Sequence, residues 1–241
     1  MSASSREKSK SIVIVKTGEP VPRVAERRGQ FAELIRDAIG DAWSGGYEVV
    51  DVRSEEPPSP DAAAAFVITG SAANVPHREP WMLKTEAWLR VVVAHGTPTF
   101  GICFGHQILA QALGGEVQRN PRGREIGTIH IERTAGAPIF DGVPERFTAQ
   151  VTHVDSVVRL PPGAAPLARS ELEDYHAIRF SETCFGVQFH PEMDAEVMRA
   201  YVETRREILH AEGFGVDEML AGIREAEAGR RTLANFVRRF V

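Results

Sequence analysis

The sequence contains few cysteines, no long apolar run and no excess of positive charge. Its two cysteines, Cys103 and Cys184, are too few for a disulfide framework, and their dissimilar surroundings argue against a pair. The apolar run at residues 12–15, which follows a polar and basic N-terminus, is too short for a signal sequence or a membrane span. Because 33 acidic residues outnumber 28 lysines and arginines, the net charge of −5 disfavours nucleic acid and anionic membranes as partners. We expect a cytoplasmic protein.

Short β-branched runs alternate with segments of helical periodicity through the first half of the chain. The runs predict strands at residues 11–18, 47–53, 65–70 and 97–103. Apolar residues at helical spacing predict helices at residues 25–39, 80–95 and 106–113. This alternation is typical of a parallel sheet covered by helices on both faces. The second half changes to short strands, which predict an antiparallel section of the sheet, at residues 127–133, 147–153, 175–180 and 184–189.

The chain length is sufficient for one substantial α/β core, and no internal linker or repeat divides the 241 residues. We predict a flexible N-terminal tail at residues 1–10 and a single domain at residues 11–241, which ends in helices from about residue 194. The last helix carries apolar residues on one face and arginines mostly on the other. Packing of this helix on the core is the simpler interpretation, and a partner contact such as a homodimer is the alternative.

Cys103 lies in the most informative segment of the sequence. Gly101 and Gly105 stand two residues before and two after it, between a predicted strand and a predicted helix. This pattern is typical of a nucleophile elbow, a tight strand-to-helix turn in which glycines avoid steric clashes. At a helix N-terminus, backbone N–H groups and the positive end of the helix dipole favour the reactive thiolate. We predict that Cys103 is a nucleophile, whereas Cys184, at the start of an apolar run, is a buried structural thiol.

A cysteine nucleophile needs a base, and the base usually needs an orienting group. His190 and Glu192 can supply both functions, because residues i and i+2 of an extended chain point to the same side. A carboxylate bonded to one ring nitrogen leaves the other nitrogen free to take the cysteine proton. Alone, this tripeptide is a weak signal. Together with the cysteine elbow, it predicts a Cys103, His190 and Glu192 triad.

Two segments resemble the signature motifs of class I glutamine amidotransferases, namely Gly101-Ile-Cys-Phe-Gly-His-Gln107 and His190-Pro-Glu192. The stretch Val151-Thr-His-Val-Asp-Ser-Val157 is similar to the His-x-Asp-x-Val stretch of the amidotransferase domain of GMP synthase and its free-standing relatives. The resemblance spans about residues 11–200. It implies an α/β fold with a flavodoxin-like parallel or mixed sheet sandwiched by helices, in agreement with the periodicity.

The resemblance also implies roles for further residues. Hydrolysis of glutamine would proceed through a glutamyl thioester on Cys103, without a cofactor or a metal. The oxyanion hole would combine the N–H of Phe104 with one from the loop that contains Gly70 and Ser71. This loop departs from the Gly-Gly-Pro found in many members, so the choice between its N–H groups stays open. The residues that would contact the substrate are Gln107, His153 and Asp155, although the last two also fit a polar strand end.

No site for an ammonia acceptor is visible in the sequence, since it contains neither a Walker-type phosphate loop nor the pyrophosphatase loop of GMP synthases. Three functions stay open. The first is a glutaminase that supplies ammonia to a separate synthase subunit. The second is a free-standing hydrolase or peptidase of γ-glutamyl compounds, and the third is a non-enzymatic binding protein that kept the pocket. Plant γ-glutamyl peptidases share the general form of the cysteine motif, which keeps the second function open.

Overall fold

The computed structural model describes residues 10–241, so the predicted tail at residues 1–10 lies outside it except for Lys10. The strands are β1 Ile12–Lys16, β2 Tyr47–Asp51, β3 Ala65–Ile68, β4 Thr99–Ile102, β5 Glu116–Arg119, β6 Glu125–Arg133, β7 Arg146–His153, β8 Asp155–Arg159, β9 Ala165–Arg169, β10 Ala177–Arg179 and β11 Cys184–Val187. The α-helices are α1 Pro22–Arg28, α2 Phe31–Ile39, α3 Pro80–His95, α4 Phe104–Ala112, α5 Ala195–Thr204, α6 Arg206–Ala211, α7 Val216–Gly222 and α8 Glu227–Phe240.

A sheet of nine strands runs through the described residues in the order β2-β1-β3-β4-β11-β10-β9-β6-β7. The first five of these strands are parallel to one another. The strands from β10 to β7 pair antiparallel, and β5 and β8 form a separate antiparallel pair. The predicted change from parallel to antiparallel pairing is confirmed, and so is the mixed α/β sheet.

Helices cover both faces of the sheet, because successive side chains of its buried strands point to opposite sides. In β1, Ile12 and Ile14 face one apolar core, to which α2, α5 and α8 contribute. Val13 and Val15 face a second core, to which α3 and α4 contribute. The near-continuous apolar runs seen in the sequence are therefore strands buried on both faces.

Two of the predicted helices are interrupted. The helix predicted at residues 25–39 is divided into α1 and α2 at Gly29, which has a positive φ of 84°. A new helix starts at once because the Gln30 N–H donates a 2.8 Å hydrogen bond to Glu33 Oε2, as in a capping box. The helical region after residue 194 is likewise divided, with Arg205 between α5 and α6.

Strands β5, β8 and β9 lie outside the strands predicted from the sequence. Strand β5 is polar, and β9 contains Pro166, which weakens the strand signal. Helix α8 packs its apolar face on the core, with Leu233 and Phe236 fully buried, as the simpler interpretation expected. Within residues 10–241, no helix is both long enough and apolar enough to cross a membrane.

Candidate active site

Three adjacent parallel strands bring the predicted site residues to one edge of the sheet. Strand β4 lies between β3 and β11, with Gly101 opposite Ile68 and Ile102 opposite Val187. The carboxyl ends of β3, β4 and β11 therefore lie side by side at the same edge of the sheet. Strand β3 leads into the 69–71 loop, β4 into Cys103, and β11 into the segment that carries His190. Sheet register alone thus gathers three segments that are far apart in sequence.

Cys103 occupies a sharp turn between β4 and α4. Its φ of 51° and ψ of −101° lie in a region that residues with side chains rarely adopt. Both flanking glycines are sterically required: a Cβ on Gly101 would lie 2.6 Å from the carbonyl carbon of Gly105, and one on Gly105 would lie 2.5 Å from the Ile68 oxygen. A tight strand-to-helix turn of this kind, at the N-terminus of a nine-residue helix, has the geometry typical of a nucleophile elbow, and the role of Cys103 as nucleophile stays a prediction.

His190 and Glu192 are joined by a buried hydrogen bond. The distance from His190 Nδ1 to Glu192 Oε1 is 2.7 Å, and both residues are at most 4% exposed. Burial alone would lower the pKa of His190, but the charges of Glu192 and then Cys103 outweigh it and raise this pKa above its ordinary value. The protonated imidazole is thereby favoured beside the sulfur. Among residues 10–241, His190 Nε2 has no hydrogen-bond partner.

The loop at residues 69–71 is fixed to the start of the fold. The Thr17 hydroxyl donates to the Thr69 carbonyl oxygen at 2.9 Å, and the Ser71 hydroxyl donates to the Thr17 carbonyl oxygen at 2.8 Å. A Cβ on Gly70 would lie 3.1 Å from His190 Cε1, so this loop passes directly beside the imidazole. The N–H of Phe104, the first residue of α4, has no intrahelical acceptor at that position. Both predicted sources of oxyanion donors are thus close to Cys103.

A cavity of about 230 Å³ opens onto Cys103 and His190. This volume suits a ligand smaller than a typical drug molecule. Ser71 lines the cavity, and so do two residues that follow the histidine motif, Tyr201 and Arg205. The remaining lining residues are Glu19, Pro20, Val21, Pro22, Phe31, Ala72 and Thr152.

Gln107, His153 and Asp155 are buried and are not among the residues that line this cavity. Gln107 Nε2 donates to the Asp155 carbonyl oxygen at 2.8 Å and to Gln188 Oε1 at 2.9 Å. Gln188 Nε2 in turn lies 3.4 Å from Cys103 Sγ. The side chains of Gln107 and Gln188 therefore form a buried relay that ends on the sulfur. The predicted contacts of Gln107, His153 and Asp155 with substrate stay predictions.

His153 belongs to a second buried cluster. Its Nε2 lies 3.1 Å from Glu125 Oε2, and His176 Nε2 lies 2.8 Å from the same oxygen. Three potential metal-ligand atoms thus lie within 4.8 Å of one another. These distances also fit hydrogen bonds, and the Ser170 hydroxyl donates to the other Glu125 oxygen at 2.6 Å. Burial opposes the charge of Glu125, but the two histidines and Ser170 outweigh it and lower the pKa of this carboxyl group.

Residues 46–206 match the family described as Glutamine amidotransferase class-I. The chain belongs to this family. The glutamine-hydrolyzing GMP synthase of Aeropyrum pernix is 35% identical over 176 residues, which are 70% of this chain and 32% of that protein. Gamma-glutamyl peptidase 4 of Arabidopsis thaliana is 30% identical over 173 residues, which are 70% of this chain and 68% of that protein. This class I amidotransferase therefore spans about a third of the length of the GMP synthase.

Solved structures show the same fold. The crystal structure of a glutamine amidotransferase from Thermotoga maritima has a TM-score of 0.74 at 22% identity, and the match covers 95% of this chain and 97% of that chain. The resemblance stated from the sequence motifs is confirmed at the level of family and fold.

Several residues of this class I amidotransferase site were missed by sequence reasoning. Gln188 could have been found, because it lies two residues before His190 in an extended segment and so points to the same side. Arg205 and Tyr201 carried no such signal, since the helix after residue 194 was expected to continue through them. Glu125 reaches His153 only through the β6 and β7 pairing, in which these two residues are opposite each other.

Proposed function

We propose that the chain is an enzyme that hydrolyses the side-chain amide of glutamine. Cys103 is the nucleophile, His190 the acid and base, and Glu192 the group that holds His190. One observation carries this proposal. Cys103 and His190 line the same cavity, with the imidazole bonded at Nδ1 to Glu192 and its Nε2 left without a partner among the described residues. That nitrogen is the one that general acid and base chemistry requires.

In the first half of the proposed reaction, Cys103 Sγ forms a bond to the amide carbon of glutamine, and the carbonyl oxygen becomes an oxyanion. The N–H of Phe104 and one N–H from Gly70 or Ser71 stabilise this oxyanion, and each such donor is worth about 3 kcal/mol in comparable sites. His190 then donates its proton to the nitrogen as the C–N bond breaks. Ammonia leaves, and a γ-glutamyl thioester remains on Cys103.

In the second half, a water molecule attacks the thioester while His190 takes a proton from it. The C–S bond then breaks and glutamate leaves. The sulfur is released as the thiolate of Cys103, beside a His190 that carries the proton taken from water, so the starting state is restored. The same imidazole therefore serves as acid in one step and as base in the next. Glu192 keeps it in one orientation and stabilises its charged form throughout.

We further propose that the ammonia goes to a separate synthase. The match covers 32% of the GMP synthase relative, so the remaining functions of that protein lie outside the matched part. We also propose that residues 11–241 form a single domain, because one sheet connects strands from both halves of the chain.

A second candidate function is hydrolysis of γ-glutamyl peptides. The Arabidopsis peptidase matches over 68% of its own length, much more than the GMP synthase does. The chemistry is the same acyl transfer with a different leaving amine. Tyr201 and Arg205 line the same cavity as Cys103 and His190, so their side chains are available to contact a leaving group larger than ammonia.

A substrate panel tests these proposals. Glutamate release by the purified chain is measured with glutamine and with γ-glutamyl dipeptides at equal concentrations. We expect modest but measurable hydrolysis of glutamine, since an amidotransferase subunit gains full activity when its partner docks. Turnover of a γ-glutamyl dipeptide with no turnover of glutamine would replace the first function with the second. Absence of glutamate from every substrate would contradict both.

A further inference from the structure

Arg205 is a cationic group in the cavity of the proposed nucleophile. It lies between α5 and α6 and lines the cavity together with Cys103 and His190. Its guanidinium group lies over the ring of Tyr201, with a distance of 4.8 Å from Cζ to the ring centroid. Burial lowers the pKa of Arg205, which nevertheless stays charged because an arginine does not lose its proton in proteins. The break between the two helices thus places a fixed positive charge beside the reacting groups.

This charge has no carboxylate partner within residues 10–241. Arg205 Nη1 is buried and makes no hydrogen bond there, and no ion pair includes this residue. By contrast, the adjacent Arg206 pairs with Asp217 at 2.9 Å. Glu19, the one carboxylate among the cavity-lining residues, bonds instead to Lys16 and Arg53. Arg205 is partly buried, and an anion on a ligand would stabilise its unpaired charge in the cavity.

The position of Arg205 indicates which part of a ligand would bear that anion. His190 must protonate the leaving nitrogen, so the leaving group lies on the side of His190. Arg205 lines the same cavity and stacks on the ring of Tyr201. Burial and then the charge of Glu192 raise the pKa of Tyr201, so this ring lies within electrostatic reach of the carboxylate that holds His190. Glutamine and γ-glutamyl peptides share the α-carboxylate of the glutamyl part and differ in the leaving group, because ammonia carries no anion whereas an amino acid carries a carboxylate. A guanidinium binds carboxylates through two parallel hydrogen bonds.

We propose that Arg205 binds the carboxylate of the amino acid that leaves from a γ-glutamyl peptide, which makes the cavity selective for such peptides over their amides. This inference rests on the proposed acyl transfer at Cys103. Arg205 is here a specificity residue that contacts the substrate. The Tyr201 ring supports the guanidinium from one face.

The test compares γ-glutamylglycine with γ-glutamylglycinamide, which differ only in the leaving-group carboxylate. For the wild-type chain we expect kcat/KM to favour the acid at least about tenfold, the effect of a hydrogen bond between charged groups. Arg205→Met should bring the ratio of acid to amide close to one, whereas Arg206→Met should keep the wild-type ratio. The wild-type comparison is valid even if Arg205→Met does not fold. Equal kcat/KM for both compounds in the wild type, or an unchanged ratio in folded Arg205→Met, would overturn the inference.

Binding separates this inference from the proposed function. Calorimetry of Cys103→Ala with the same two compounds should show tighter binding of the acid, and Arg205→Met in that background should remove the difference. If neither compound is hydrolysed by the wild type but binding keeps this dependence, the proposed function fails, whereas binding of the ligand carboxylate by Arg205 stands. If both compounds and glutamine are hydrolysed while binding shows no preference, the proposed function stands and the inference fails.

Discussion

Replacement of Glu192 by glutamine tests the hydrogen bond that holds His190. The 2.7 Å contact from His190 Nδ1 to Glu192 Oε1 joins two buried groups, and the glutamate charge is one cause of the raised pKa of His190. A hydrogen bond to a charged group contributes about 1.5–3 kcal/mol, and one between neutral groups about 0.5–1.5 kcal/mol. If Glu192→Gln keeps the geometry, the loss of about 1–1.5 kcal/mol slows the reaction about tenfold.

The loss is larger if the new amide turns its NH₂ group towards Nδ1. The imidazole would then adopt the wrong tautomer, which costs up to about 10⁴-fold in comparable triads. We therefore expect glutamate release from the best substrate to fall between tenfold and 10⁴-fold. The lost charge also lowers the pKa of His190. Because the protonated imidazole exists below this pKa, the alkaline limb of the pH–rate profile should move to lower pH.

The assay follows glutamate release across pH for wild type, Glu192→Gln and the control Glu196→Gln. Glu196 is 64% exposed on α5 and pairs with Arg28, so its replacement should leave the rate unchanged. Circular dichroism establishes that each variant is folded. A rate for Glu192→Gln within about threefold of wild type, with an unmoved alkaline limb, would refute the assignment of Glu192 as the group that holds His190.

Three further predictions concern the sulfur and its neighbours. A glutamine-like diazo-ketone should label Cys103 and spare Cys184, because Cys184 is fully buried and its pKa is raised by burial. Mass spectrometry of the peptides that finds the label mainly on Cys184 would contradict this prediction. Gln188→Met should lower kcat/KM about tenfold, because it removes the donor 3.4 Å from the sulfur, and a rate equal to wild type would make the relay merely structural. Gly70→Ala should slow hydrolysis at least about tenfold, because the new Cβ would lie 3.1 Å from His190 Cε1 and displace the imidazole. Gly222→Ala serves as the control, since its Cβ would meet nothing within 4 Å, and equal rates in the two variants would refute the crowding argument.

The arrangement of the sheet was predictable where the sequence signal is local. Buried parallel strands are continuous apolar runs, so β1, β3 and β4 could be located from composition alone. The tight turn at Cys103 could also be predicted, because the glycines on both sides of Cys103 are a direct steric requirement. That the elbow and the histidine segment lie side by side follows from the parallel pairing of β4 with β11.

The rest of the site depends on contacts that local patterns do not encode. Arg205 reaches the cavity because the helix after residue 194 is interrupted there, and nothing in its helical periodicity marks that break. Glu125 meets His153 and His176 through pairing between strands distant in sequence. The relay through Gln107 is similar, since its partners are 48 and 81 residues away along the chain. Such contacts are set by tertiary packing rather than by propensity.

The central claim is that Cys103 attacks a γ-glutamyl amide, and the most direct measurement compares glutamate release by wild type and Cys103→Ala. Both purified proteins are incubated with glutamine and with γ-glutamylglycine, and glutamate is quantified over time at equal protein concentration. The account predicts steady release by wild type from at least one substrate and none by folded Cys103→Ala, because the alanine has no atom that can form the thioester. Equal release by the two proteins would contradict it.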